Sequence, residues 1–238
     1  MKNMIMILQC LIVVITISCN STQSQNEGQK KNKDQFNVMQ DSIDRLAKAT
    51  EEKFRAMTND QLIPELEQSA LKGREPFNSA PFREVIKRKD AADPLFNSIT
   101  TATRKEYFKL MALKRLNKDL YNAVKPDSGA AILTDGLANS EFFNAWGIPD
   151  VYWESSAKAI IEYGPASTPY LEKLLDDQRP APVWGSEETA IYERFKFRVC
   201  DYALALLYAL TPGDKKPLPE SPQERDTMIK SYKEARKK

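Results

Sequence analysis

The chemistry open to this chain is limited first by a residue type it lacks. Its 238 residues include no histidine. Histidine is the commonest general acid/base near neutral pH and the commonest metal ligand. Ser-His-Asp and Cys-His catalysis, and zinc sites with Cys/His spacing, are therefore excluded in their usual forms. Any catalysis would fall to carboxylates, Lys, Tyr, Ser or Cys200. The Cys200 thiol has Arg198 on one side and Asp201 on the other. A reactive thiolate needs net positive surroundings, and Asp201 opposes that. Cys200 reads as a small core residue, and Arg198 and Asp201 as a structural pair.

All three tryptophans, Trp146, Trp153 and Trp184, fall between residues 146 and 184, with Tyr152 and Tyr192 nearby, each in or beside a segment broken by Gly or Pro. Together they form a candidate binding surface for a glycan or a peptide. The alternative is that these rings fill gaps where irregular loops pack onto helices. Asp135, Glu141, Asp150, Glu154, Glu187 and Glu188 accompany them. A glycan hydrolase would need two such carboxylates at a defined separation across a cleft. Acids are abundant throughout the chain, so closeness in sequence does not identify a pair. The stretch "DGLANSE" lacks the alternating ligands of a calcium loop, and no Gly-rich phosphate loop is present. The reading assigns no catalytic residue, no cofactor and no metal.

The elements that must position these residues belong to an ordinary globular composition, 42% hydrophobic and 29% charged. The net charge is only +2, from 35 basic and 33 acidic residues. That balance, with lysines clustered only at the ends, argues against a nucleic-acid partner. Near the start, Lys2 precedes a nearly unbroken apolar run from Met4 to Ile17. The run is too short to span a bilayer comfortably and suits a signal-peptide core. It ends in "ITISCN", which resembles a bacterial lipoprotein signal, with Thr16 where leucine is usual. The resemblance implies cleavage after Ser18 and lipidation of Cys19, hence an extracytoplasmic protein of the bacterial envelope, held to the membrane. An ordinary signal peptide or a short anchor is the alternative. Residues 20 to 35 carry no apolar side chain and read as a disordered tether. Cys200 alone would then remain in the mature fold, which excludes an intramolecular disulfide.

Apolar residues Phe36, Met39, Ile43, Leu46, Ala47, Phe54 and Met57 recur at helical spacing and predict an amphipathic helix over about 36 to 57. Such a stripe either packs on its own domain, the preferred reading, or serves a coiled coil or a partner. A shorter helix through Leu62, Ile63, Leu66 and Leu71 ends at Gly73. A Pro-rich stretch holding one short helix near 81 to 89 follows. It marks the boundary between an N-terminal helical arm, 36 to 92, and a main body, 93 to 238. Further helices are expected around 101–118, before Pro126, over "SGAAILTDGLA", and over 155–163. No convincing strand series appears.

Within "YGPASTPYLEKLLDD", Gly164 supplies a left-handed helix stop and Pro165 opens the next helix. A tight helical hairpin results, about 155–163 and 166–176, with Ala157, Ile160 and Ile161 facing Leu171, Leu174 and Leu175. The stretch "AKAIIEYGPASTPYLEKLLDD" resembles a HEAT-like repeat of the phycobilin-lyase type, and "RVCDYALALLYALTPG" resembles the first helix of a following repeat. The likeness covers about residues 155 to 213, and residues 178 to 195 are longer than a usual inter-repeat turn. It implies an all-α fold, a short irregular α-solenoid of HEAT-like hairpins. The function expected is a binding or scaffold module with a protein partner in the envelope. A carboxylate-dependent hydrolase is the alternative.

Overall fold

The computed structural model describes residues 25–72, 75–211, 213 and 216–236, with side chains from Phe36 onward. The expected signal peptide and the lipidated Cys19 lie outside the described residues. The chain is mostly helical. It divides into two compact units, one ending at Ala49 and the other running from Thr50 to the C-terminus.

Helix α1, Gln25–Arg55, begins inside the segment expected to be a disordered tether. Gln, Lys and Glu are good helix formers, so the amphipathic helix extends backwards through them. Phe36, Met39, Ile43 and Leu46 are 60%, 41%, 43% and 62% exposed. Only Phe54 near the end of the helix and Met57 just beyond it join the core of the second unit.

That unit also takes in residues 50 to 92, the stretch expected to complete the arm. Helix α2, Asn59–Leu71, buries Leu62, Ile63 and Leu66. It packs on α3, Ala80–Val85, and α5, Tyr107–Leu116. Phe82 and Val85 of α3 are as deeply buried as Phe108 and Leu110 of α5, so the Pro-rich stretch between 74 and 94 is not a linker. Helix α4, Ala92–Ser98, and α6, Lys118–Ala123, complete this half around α5. Lys109 of α5 is fully buried, yet its ammonium is satisfied by Glu67 at 2.8 Å, the Ser98 carbonyl at 2.8 Å and Glu106. A buried charge survives only with such partners.

Helix α7, Pro126–Ala138, starts with proline at its first turn and packs on α8, Ser155–Tyr163. Between them Gly147–Ile148 (β1) pairs antiparallel with Tyr152–Trp153 (β2), Gly147 opposite Trp153. This small ladder was not anticipated, because two-residue strands leave no alternation to read. Gly164 ends α8 at φ 59°, ψ −137°, a conformation open essentially to glycine. A 3₁₀ turn, Gly164–Ser167, then leads into α9, Thr168–Lys173, and a second 3₁₀ turn, Leu174–Asp176. The expected hairpin is thus corrected. The second arm is only six residues of α-helix, and α8 and α9 make their principal contacts with other elements. Both pack against α7 and against α11, Val199–Leu210. The segment read as a long inter-repeat loop contains helix α10, Ser186–Phe195. Helix α12, Pro222–Arg236, closes the described chain.

Candidate functional site

Trp146 and the four other aromatic residues of the candidate surface separate into core and ledge. Trp146 is fully buried. Its ring stacks on Tyr107 at 5.4 Å, and its indole N–H donates to Ser140 Oγ at 2.8 Å. It is therefore a core residue and not part of a surface. Trp153 is half-buried, 6.5 Å from the Tyr202 ring. Tyr202, on α11, donates to the Gly147 carbonyl at 2.7 Å and ties the small hairpin to the core. Tyr192 is half-buried on α10, with Lys196 Nζ 5.7 Å from its ring centre. Tyr152 and Trp184 remain in the open, 38% and 52% exposed.

The backbone that carries Trp184 is firmly held. The loop before β1 and the loop before α10 are laced together. Phe143 N donates to the Pro182 carbonyl at 2.8 Å, Trp184 N donates to Asn144 Oδ1 at 2.9 Å, and Asn144 Nδ2 donates to the Trp184 carbonyl at 2.6 Å. The side chain of Asn144 thus imitates a backbone strand, and fixes Trp184 from both sides. A third segment reaches in from before α3. Glu75 accepts from Ala145 N at 2.7 Å and from Asn78 Nδ2 at 2.9 Å. Burial pushes the Glu75 carboxyl up, outweighing the hydrogen bonds that favour its charge. Burial also raises the Tyr152 hydroxyl, and the charges of Glu188, Glu154 and Glu75 raise it further. The Glu188 carboxylate rests over Gly185, where a Cβ would meet its Oε2 at 2.3 Å.

The candidate ledge is Trp184 and Tyr152, with Glu75, Glu154 and Glu188 near enough for their charges to act on the Tyr152 hydroxyl. Such a surface can stack on an apolar or planar group and attract positive charge. Glu75 accepts from two donors and acts as a strut. Glu75 and Asn144 were missed by sequence reasoning: one acid among 33 and one Asn in a loop give no local signal.

The Arg198–Asp201 pair lies elsewhere, at the start of α11, with Cys200 beside it. Asp201 is fully buried. It accepts from Arg198 N at 2.9 Å, Nε at 3.0 Å and Nη2 at 2.9 Å. A second arginine, Arg225 of α12, is also fully buried and pairs with Asp201 at 3.1 Å. Arg225 donates further to the carbonyls of Pro219, Glu220 and Phe195. This cluster joins the start of α11 to the end of α10 and the first turn of α12. Arg225 had no sequence signal, being one of many charges in a polar helix. Burial, and then Asp201, push the Cys200 thiol up to about 12, which removes thiolate chemistry at neutral pH. Among the described residues, no group of three Cys, Asp or Glu is placed to hold a metal ion.

The fold and the site define a mostly helical protein that leaves two aromatic residues, Tyr152 and Trp184, exposed. The chain matches no family model, no curated protein and no solved structure.

Proposed function

We propose that this protein is a binding or scaffold module of the bacterial cell envelope, tethered through a lipid on Cys19, and that it engages a protein partner through the Trp184–Tyr152 ledge. The observation that carries the reading is Trp184, about half exposed, with its backbone N–H and carbonyl both paired to the Asn144 side chain. A backbone fixed before binding leaves only the side chain to be ordered when a partner covers it. Tryptophan and tyrosine are also the residue types that dominate binding hot spots. The surrounding carboxylates favour a basic or apolar segment of that partner. The helices from Ser155 to Leu210 are read as a short, irregular HEAT-like stack, on the Gly-Pro stop at 164–165 and the packing of α9 and its following turn on α11.

A second reading, a carboxylate hydrolase acting on an envelope glycan, draws on one observation, the raised Glu75 carboxyl beside Trp184. One experiment separates the two. The tethered protein is captured from crosslinked envelopes as wild type, Trp184→Ala and Glu75→Gln. A protein partner that is lost with Trp184→Ala supports the binding module. Recovery of glycan fragments, with turnover abolished by Glu75→Gln, supports the hydrolase instead. The tether is tested by metabolic labelling with an alkyne fatty acid: wild type takes up label, whereas Cys19→Ser takes up none and leaves the membrane fraction. Equal labelling of both would refute the anchor.

A further inference from the structure

The exposed stripe of α1 has a finer pattern than amphipathicity alone. Phe36, Met39, Ile43 and Leu46 are spaced 3, 4 and 3 residues apart. That is the alternation of the a and d positions of a heptad, with Thr50 next in the series. A helix that packs on its own domain usually carries a wider apolar face. Here the positions flanking the seam are Gln40, Ser42, Ala47 and Ala49, small or neutral. Their polar groups are satisfied within the helix: Ser42 Oγ donates to the Val38 carbonyl at 2.8 Å, and Gln40 Nε2 donates to Asp44 Oδ1 at 2.9 Å. The charged residues between Phe36 and Thr50 are Asp41, Asp44, Arg45 and Lys48. All four fall at heptad positions b, c and f, away from the seam, and their charges cancel.

We propose that this seam pairs with the same seam of a second copy of the chain, as a parallel two-stranded coiled coil over residues 36 to 50. The charge pattern selects this occupant. Two copies can approach with no like charges facing across the seam or its flanks. A membrane surface would call for Lys or Arg bordering the apolar face, and two acids share the polar face here. A partner chosen by electrostatics would call for charged flanking positions, and these are neutral. The seam covers about two heptads, fewer than the three to four that sustain an independent coiled coil. Pairing is therefore weak in dilute solution and strengthened where copies share a surface. The parallel direction rests on the proposed anchor at Cys19, which starts both helices from the same side. Self-association of the seam does not depend on it.

The test uses the full chain in its own envelope. Single cysteines are placed in the seam, Met39→Cys or Leu46→Cys, or outside it, Asp41→Cys or Lys48→Cys, and mild oxidation is followed by non-reducing electrophoresis. A homodimer band from both seam positions, several-fold above both outer positions and the unsubstituted protein, is expected. Equal bands at seam and outer positions, or none at either, would overturn the proposal. Sedimentation of the detergent-solubilised protein as a dimer, with no seam disulfide, would overturn the parallel register. A seam cysteine that joins a different protein would overturn the second copy as occupant. As a folding control, Ile43→Asp is expected to abolish the homodimer band while leaving the thermal midpoint unchanged, because Ile43 is 43% exposed.

Discussion

Asp201 ties two helices together from a fully buried position. It neutralises two arginines, one of them fully buried, and caps the start of α11 through the Arg198 N–H. Removing one member of a buried pair leaves an uncompensated charge. Asp201→Ala is therefore expected to cost about 3–5 kcal/mol in chemical denaturation, and Arg198→Ala less, because Arg198 is partly exposed. Equal and small losses would show that water reaches the pair. Cys200 supplies a second expectation at this scale. Its raised, buried thiol should not react with a maleimide at pH 8 in the native protein and should react fully once denatured. Rapid native labelling would mean that α11 opens at its first turn. The sequence exposed the Arg198–Asp201 pair, because both lie within one helical turn. It could not expose Arg225, which reaches Asp201 from 24 residues away, nor Trp146, whose burial depends on Tyr107 of α5 and on Ser140.

Gly164 sets the path between α8 and α9. A Cβ there would meet nothing within 4 Å, so the need for glycine is purely a matter of backbone conformation. Gly164→Ala is expected to destabilise by about 1–3 kcal/mol, with the folded structure otherwise retained. A neutral effect would show that the turn relaxes to another conformation. At Gly129 of α7 the reason is different: a Cβ would meet the Tyr163 ring at 2.1 Å. The helices themselves were largely legible. Periodic apolar residues marked α1, α2 and α5, the repeat resemblance marked α11, and Pro126 marked the stop of the helix before α7. The hairpin around Gly164 was not, because a Gly-Pro stop fixes where a helix ends and leaves open which neighbours the next helix meets. Helix α10 buries none of its side chains fully and so left no apolar stripe to read. The stripe of α1 was legible as a stripe, whereas its exposure was not, since periodicity does not say what covers a face.

At the scale of the whole second unit, Glu75 ties pH to stability. Glu75 holds its proton more tightly in the folded chain than in the unfolded one. Its contribution is fully present at low pH and is lost as pH rises from the ordinary value of 4.5 through the raised folded value. Relative to Glu75→Gln, wild type should therefore lose thermal stability across the window just above pH 4.5. A parallel pH profile for the two proteins would contradict the raised carboxyl. The ledge itself was half legible. The cluster of aromatic residues between 146 and 192 stood out in sequence, but their division into core and surface needed three distant segments to meet at Glu75, Asn144 and Trp184.

The central claim is that the ledge is a binding surface, and a photo-crosslinker tests it in living cells. The crosslinking amino acid is placed at 184, at 152, or at the exposed control position 118 on α6. Discrete protein adducts from 184 and 152, with none from 118, are the predicted result. The same adducts from all three positions, or no adduct from 184 and 152, would contradict the account.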